Sequence, residues 1–288
     1  MAGATGAPVA FVASRIRMEE KLMLAALERR GMAYEQLDER SIAMPLERGD
    51  SPYGAVLNRS ISNTRSLYVA HLFEARGVPV VNRSAVVETC GDKVITHLAL
   101  VKAGIPTPRT TVALTPDAAL AALDELGYPA VLKPVTGSWG RLLAKVNDRE
   151  AAEAILEHKE VLGSPSHSVI YIQEYVDKPG RDLRVNVIGD RVVNAIYRIS
   201  QHWITNTARG AVAKPCELSP ELVDLSLRAA RAVGGGALAV DLMERPDGSL
   251  VVTEINHTME FYRTVMATGV DVADALVEYV SQVARRCE

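Results

Sequence analysis

Asp241, Glu254 and Asn256 are the residues whose types and spacing most directly permit chemistry. Asp241 ends the apolar run Ala237-Leu238-Ala239-Val240, and Glu254 follows the run Leu250-Val251-Val252-Thr253. Both runs read as β-strands, and Pro246-Asp247-Gly248 between them reads as a hairpin turn. That hairpin sets Asp241 near Glu254 and Asn256, and the last two, being two residues apart, share a strand face. Two carboxylates and an amide oxygen are hard donors of the kind Mg²⁺ takes, with water and phosphate completing its shell. A solvated hairpin edge is the plainer alternative, and these three residues alone leave both open.

Other polar residues fall where an anion could be met. Lys133 closes the strand Ala130-Val131-Leu132 and precedes the loop Gly137-Ser138-Trp139-Gly140-Arg141. Glycines let backbone N–H groups approach anionic oxygens, so phosphate contact is favoured there over a merely solvated lysine. Lys93 lies in a helical stretch and can serve the same end. No P-loop pattern and no Gly-x-Gly-x-x-Gly follows a strand, which excludes those two nucleotide motifs. Gln173-Glu174-Tyr175-Val176 continues the strand Val169-Ile170-Tyr171-Ile172. Its extended main chain can pair with an adenine edge, as any edge strand can. Asp182 can accept from ribose hydroxyls or stand as a surface charge. Arg184, Arg198 and Arg209, with Asn206, form a polar set whose guanidinium forks suit carboxylate and phosphate. Arg184 and Arg198 fall on adjacent strands and are expected on one side. His202, Trp203 and His257 read as packing residues.

The elements that must position these residues follow from pattern. Val9–Val12 is a buried strand, Glu19–Arg30 an amphipathic helix closed by Gly31, and Arg65–Arg76 a second helix closed by Gly77. With strands at Tyr34–Leu37, Tyr53–Arg59 and Val78–Asn82, this alternation argues for a parallel sheet. Ala85–Ala103 reads as one helix interrupted at Gly91, and Gly104-Ile105-Pro106-Thr107-Pro108 as a turn. Beyond it lie a small α/β unit, a hairpin over Asp182–Arg198, the helix Pro220–Val233, the Asp241/Glu254 hairpin and a closing helix over Val272–Arg285. The expected domains are 1–85, 86–172 and 173–288.

At 288 residues, 48% hydrophobic and 23% charged, the chain has a globular composition with room for two or three subdomains. A net charge of −3 without a basic block argues against nucleic acid. Cys90, Cys216 and Cys287 lie far apart without metal-type spacing and read as free thiols. No apolar run reaches membrane-spanning length, and the first residues lack a signal-peptide pattern, so a cytoplasmic location is expected.

Taken together, the order is lysine, lysine with glycine loop, Gln-Glu hinge, Asp, Arg, Arg, Asn, and Asp…Glu-x-Asn. This order resembles the ATP-grasp ligases over essentially the whole chain. Within them, Asn206-Thr207-Ala208-Arg209-Gly210 is similar to the RimK-type ligases. Gly137–Leu142, His158–Gly163, Tyr171–Val176, His202–Thr207 and Asn256–Phe261 resemble the LysX-type ligases, which join α-aminoadipate to the carrier protein LysW. The resemblance implies an α/β ATP-grasp fold, with an N-terminal parallel-sheet domain before two α/β domains that clasp ATP. It implies that Lys93, Lys133, Gly137, Ser138, Trp139, Gly140 and Arg141 hold phosphates. It gives adenine to the Gln173–Val176 hinge, ribose to Asp182, and Mg²⁺ to Asp241, Glu254 and Asn256. Arg184, Arg198, Asn206 and Arg209 would serve the chemical step, with Gly137–Arg141 as lid. An acidic carrier and a homotetramer or homodimer are also implied. After Phe261 such ligases tend to carry Lys-Asn-Ser, where this chain has Tyr262-Arg263-Thr264, a departure that bears on α-aminoadipate against glutamate. Glutamylation of another protein's tail and a non-catalytic ATP-binding module are the competing functions.

Overall fold

Four buried residues, Val9-Ala10-Phe11-Val12, open the first sheet as β1 (Val9–Val12). The computed structural model describes residues 6–47, 49–137, 141–162, 168–206 and 210–285. Helix α1 (Met18–Arg29), β2 (Tyr34–Leu37), β3 (Ala55–Asn58), α2 (Asn63–Glu74) and β4 (Val80–Val81) follow. Their strands pair in parallel in the order β2-β1-β3-β4, as the strand–helix alternation requires. The Ser62 hydroxyl accepts from the N–H of Arg65 and so starts α2.

The stretch expected as one helix is two, α3 (Ser84–Gly91) and α4 (Lys93–Lys102). Asp92 between them is extended, and its carboxylate caps α4 by accepting from the N–H groups of Val94 and Ile95. The cap competes with helix continuation and wins because it satisfies two amide groups that otherwise lack a partner.

The central unit is β5 (Thr110–Ala113), α5 (Pro116–Leu126), β6 (Ala130–Lys133), β7 (Ala144–Val146), α6 (Arg149–Leu162) and β8 (Ile170–Glu174), an antiparallel sheet ordered β5-β8-β6-β7. The expected boundary between residues 172 and 173 falls inside β8, so the unit runs to Glu174. The last unit contains β9 (Arg181–Ile188), β10 (Arg191–Ile199), β11 (Val212–Pro215), α7 (Pro220–Ala232), β12 (Ala237–Glu244), β13 (Leu250–Asn256), α8 (Tyr262–Thr268) and α9 (Val272–Arg285). Its sheet is antiparallel in the order β11-β10-β9-β12-β13. Both hairpins expected from sequence, β9–β10 and β12–β13, are present.

Three apolar cores explain how these units sit. The first sheet shares a core with α9, Met259 and Phe261. Val86 of α3 and Leu100 of α4 bury instead with α7 and the last sheet, although they precede the central unit in sequence. The central unit has its own core around Leu123, Leu132, Leu156 and Ile172. Asn82 locks the first unit to the last. Its amide group receives a hydrogen bond from the N–H of Ala237 at 2.7 Å and donates to the carbonyls of Ala237 and His257 at 2.8 and 2.6 Å. Gly236 must be glycine for this, since a Cβ there would lie 2.2 Å from Asn82 Oδ1. Among the described residues no helix is long and apolar enough to cross a membrane.

Candidate active site

A cleft of about 540 Å³ lies between the central unit and the last sheet. Lys93, Lys133, Gly137, Arg141, Gln173, Glu174, Tyr175, Val176, Asp182, Arg184, Arg198, Asn206, Asp241, Glu254 and Asn256 all line it. Ser138, Trp139, Gly140 and Arg209 lie outside the described residues.

Strand register assembles one wall. On β9–β10, Arg198 faces Asp182, and on β9–β12, Asp241 faces Arg184. Arg184 grips Asp241 with two hydrogen bonds of 2.8 Å, and Arg198 grips Asp182 at 2.5 and 2.8 Å. Arg198 also reaches Asp241 at 3.2 Å. Arg184 and Arg198 therefore do share a side. Burial works against the Asp241 charge, but the two guanidiniums overcome it and hold the carboxyl below its ordinary range. The same carboxylates hold Arg198 above its ordinary value despite its burial. Asp182, expected at a ribose, is instead 6% exposed, bonded to Arg198 and to the Thr205 hydroxyl, and 3.7 Å from the Lys178 ammonium. Its oxygens are committed to protein partners because the strand pairing places a cation directly across from it.

Across the hairpin, Asp241 pairs in register with Glu254, and Asn256 Nδ2 lies 3.5 Å from Asp241 Oδ2. Glu254 meets Lys93 at 3.2 Å, and its side chain is 34% exposed against 8% for Asp241. Among the described residues no three His, Cys, Asp or Glu side chains gather to hold a metal. The donor set nonetheless fits Mg²⁺ in class, with two carboxylates and an amide lining one cleft and room for phosphate oxygens. Glu254 is the more open donor, since Asp241 already faces two arginines.

The opposite wall carries lysines. The Lys93 ammonium donates to the carbonyl of Gly137 at 2.9 Å. Lys133 Nζ donates to Gln173 Oε1 at 2.7 Å. Burial pushes Lys133 down to about 8; Lys93 and Lys178 nearby push the same way, against Glu254 and Asp241. Lys178, which sequence reasoning passed over, donates to Thr205 Oγ1 at 2.6 Å and is also lowered by burial. The ammoniums of Lys93, Lys133 and Lys178 thus line one cleft, an arrangement that favours anions.

The hinge differs from expectation at Gln173. This residue lies mid-sheet, paired with Thr110 on one side and Val131 on the other, so its main chain belongs to the ladder and its side chain does the work. Glu174 is held by Arg109 at 3.1 Å and by Arg245. Tyr175 lies under Lys145, 3.7 Å from the ring centroid, and meets Trp203 edge-on. Trp203 thus lines the cleft as well as packing.

The first unit also reaches the cleft, which sequence reasoning missed. Arg17 lines it, bound to Glu20 and Glu260 at 2.9 Å each. Only the fold brings residues 17 and 260 together. His257 lines the cleft too; burial, then Arg59, pushes it down to about 4. A side pocket of about 250 Å³ adjoins, lined by Arg17, Arg184, Arg198, Tyr262, Arg263 and Thr264 among others. Thr264 Oγ1 is buried there without a hydrogen-bond partner.

The chain is similar to known proteins in sequence and in fold. Residues 90–280 match the RimK-like ATP-grasp domain, and residues 9–89 match the LysX preATP-grasp domain. The glutamate–LysW ligase ArgX of Sulfolobus acidocaldarius is 35% identical over 274 residues, 94% of this chain and 97% of its own. The α-aminoadipate–LysW ligase LysX of Saccharolobus solfataricus is 36% identical over 234 residues, 81% of this chain and 85% of its own. A RimK domain ATP-grasp protein of Sphaerobacter thermophilus has a crystal structure that superposes with a TM-score of 0.81 at 30% identity, covering 95% of this chain and 99% of that one.

Proposed function

This chain belongs to the RimK-like ATP-grasp family and is a carboxylate–amine ligase; from that premise we propose that it joins an acidic amino acid to the C-terminal glutamate of the carrier protein LysW. The observation that carries this reading is the cleft itself, where Lys93 and Lys133 face an arginine–carboxylate network that Lys178 joins through Asp182 and Thr205. ATP is the co-substrate. Lys93 and Lys133 draw its phosphates to the central unit, and the main chain around Tyr175–Val176 meets the adenine. Asp241, Glu254 and Asn256 would hold Mg²⁺, which when bound would neutralise phosphate charge.

The carrier γ-carboxylate attacks the γ-phosphorus, ADP leaves, and an acylphosphate forms. The α-amine of the amino acid, having lost a proton, attacks the acyl carbon and expels phosphate, which leaves an amide. A carboxylate must approach a polyanion here, so charge neutralisation is the main demand on the protein. Arg184 and Arg198 meet that demand, and they arrive already oriented by Asp182 and Asp241.

The first reading of the amino acid is α-aminoadipate, which rests on the pair Asn206-Thr207. Glutamate is the second, favoured by the match to nearly the full length of ArgX. Tyr262-Arg263-Thr264 lines the side pocket where an amino-acid side chain would sit, and it is the segment that departs from Lys-Asn-Ser.

The test supplies purified protein with ATP, Mg²⁺ and LysW, adds α-aminoadipate or glutamate, and records phosphate release and carrier mass. One amino-acid residue added per carrier with stoichiometric phosphate is expected, faster with α-aminoadipate. Preference for glutamate selects the second reading. No phosphate release with either amino acid would falsify the carrier assignment.

A further inference from the structure

Lys133 ends in the cleft, and its acceptor Gln173, on β8, is held in turn by Tyr171 of the same strand and by Thr110 of β5. Gln173 Oε1 accepts from Lys133 Nζ at 2.7 Å. The Gln173 amide nitrogen donates to Thr110 Oγ1 at 3.1 Å and to the Tyr171 hydroxyl at 3.2 Å. Thr110 spends its own proton on the carbonyl of Pro108 at 3.0 Å. The Tyr171 hydroxyl lies 3.1 Å from His97 Nδ1, and His97 Nε2 lies 3.4 Å from Thr107 Oγ1.

One arrangement gives every donor in this set an acceptor. Lys133 only donates, so an oxygen must face it. Thr110 and Tyr171 then receive the amide nitrogen's two hydrogens with their oxygens. Tyr171 can receive because its own proton goes to Nδ1 of His97, which leaves the ring proton on Nε2, toward Thr107. Burial, then the Lys133 ammonium, lowers His97 below its ordinary value, which keeps the ring neutral and Nδ1 free to accept. Burial likewise pushes Tyr171 up to about 12, so its hydroxyl keeps its proton.

His97 lies on α4, one turn beyond Lys93. The N–H of Lys93 is itself tied to the carbonyl of Val135, just past the end of β6, at 2.9 Å. Lys93 is therefore fixed to α4 by the chain, and Lys133 is referred to α4 through Gln173, Tyr171 and His97. We propose that His97, Tyr171 and Gln173 are positioning residues that hold the Lys133 ammonium in register with Lys93, so that α4 sets both lysines as one clamp for the phosphates of a nucleoside triphosphate. The proposal rests on the ATP reading above. Other charged groups acting on Lys133 are Glu254, Lys93, Lys178 and Asp241, and all of them lie on the cleft side. Only Gln173 anchors it from within the sheet among the described residues.

The experiment measures equilibrium binding of ATP, and of adenosine as the phosphate-free control, to the full chain, with thermal melts run alongside. Gln173→Leu removes the acceptor and is expected to weaken ATP about tenfold, the size of one charge-assisted hydrogen bond, with adenosine unchanged within about twofold. Tyr171→Phe and His97→Leu act at a distance and are expected to weaken ATP about threefold. His97→Asn, whose amide oxygen can stand where Nδ1 accepts, should restore ATP affinity. The double variant His97→Leu/Gln173→Leu should be no weaker than Gln173→Leu, because the relay acts only through the amide. Equal losses for ATP and adenosine would reduce these residues to packing and overturn the proposal. So would additive losses in the double variant, or no rescue by asparagine in a protein that melts normally. A wild-type chain that binds no ATP sinks the functional reading and this proposal together; wild-type ATP binding with silent variants sinks this one alone.

Discussion

The two walls of the cleft solve opposite electrostatic problems. On the last sheet, Arg184 meets Asp241, and Arg198 meets both Asp182 and Asp241. On the central side, Lys133 has a neutral amide as its hydrogen-bond acceptor, and burial lowers both Lys133 and Lys178. The first wall is organised before any ligand arrives. The second leaves Lys133 without a carboxylate within ion-pair distance among the described residues, and in the proposed reading a polyanion completes it. A site that must bring a carboxylate to a polyanion needs both, rigid positive charge at the reacting end and uncompensated positive charge where the phosphates rest.

Removing Asp241 breaks this contrast most severely. Asp241→Ala leaves Arg184 and Arg198 buried with one counter-charge fewer, and is expected to cost roughly 3–5 kcal/mol of stability together with turnover. Chemical denaturation and phosphate release measure the two losses; a variant of native stability would show that the arginines are not held as the coordinates place them. Glu254→Ala is expected to separate function from fold. Its pairing with Lys93 is partly exposed and adds little to stability, yet turnover should fall roughly a hundredfold and the Mg²⁺ requirement rise. Melting curves paired with a Mg²⁺ titration check this.

The lysine wall predicts a pH dependence of definite sign. Lys133 sits near 8, so in the free protein its proton leaves as pH rises through that value. Phosphate affinity leaves with it, and kcat/KM for ATP should fall about tenfold per pH unit above 8. Bound phosphates hold the proton on, so kcat alone should stay flatter over the same range. Lys133→Arg should abolish the alkaline limb; a limb that persists unchanged assigns it to another group. The smallest effect belongs to Lys178, which touches both walls. Lys178→Met removes a neighbouring positive charge, so the Lys133 limb should move to higher pH, with a change in the KM for ATP of less than about threefold.

That Asp241 lies near Glu254 was legible from two strand patterns around a Pro-Asp-Gly turn, but their direct pairing comes from a register shift after Asp241, without which Thr253 would stand across from it. The shared side of Arg184 and Arg198 was not legible, since it depends on the register shift between Val192 and Asn194; unbroken alternation from the Gly189-Asp190 turn would set Arg198 opposite Arg181. Nor were Asp182 and Gln173. Alternation states which way a side chain points but not what stands across from it. Asp182 faces a cation and Gln173 faces an ammonium, both on neighbouring strands. The edge strands β5 and β11 also escaped, since Thr-Thr-Val-Ala and Val-Ala-Lys-Pro lack a buried face to announce them. The break at Asp92 had a readable signal, an aspartate before a helical run, which the longer apolar pattern masked.

Local pattern therefore determined the strands, their helices and the inventory of charges, because those depend on periodicity and turn chemistry within a few residues. Tertiary structure alone decided which charges cancel and which remain available. The decisive pairs span 16 residues for Arg198–Asp182, 57 for Arg184–Asp241 and 40 for Lys133–Gln173. The strength of each depends on burial and on distances of a few ångströms, and neither exists until the sheets have formed.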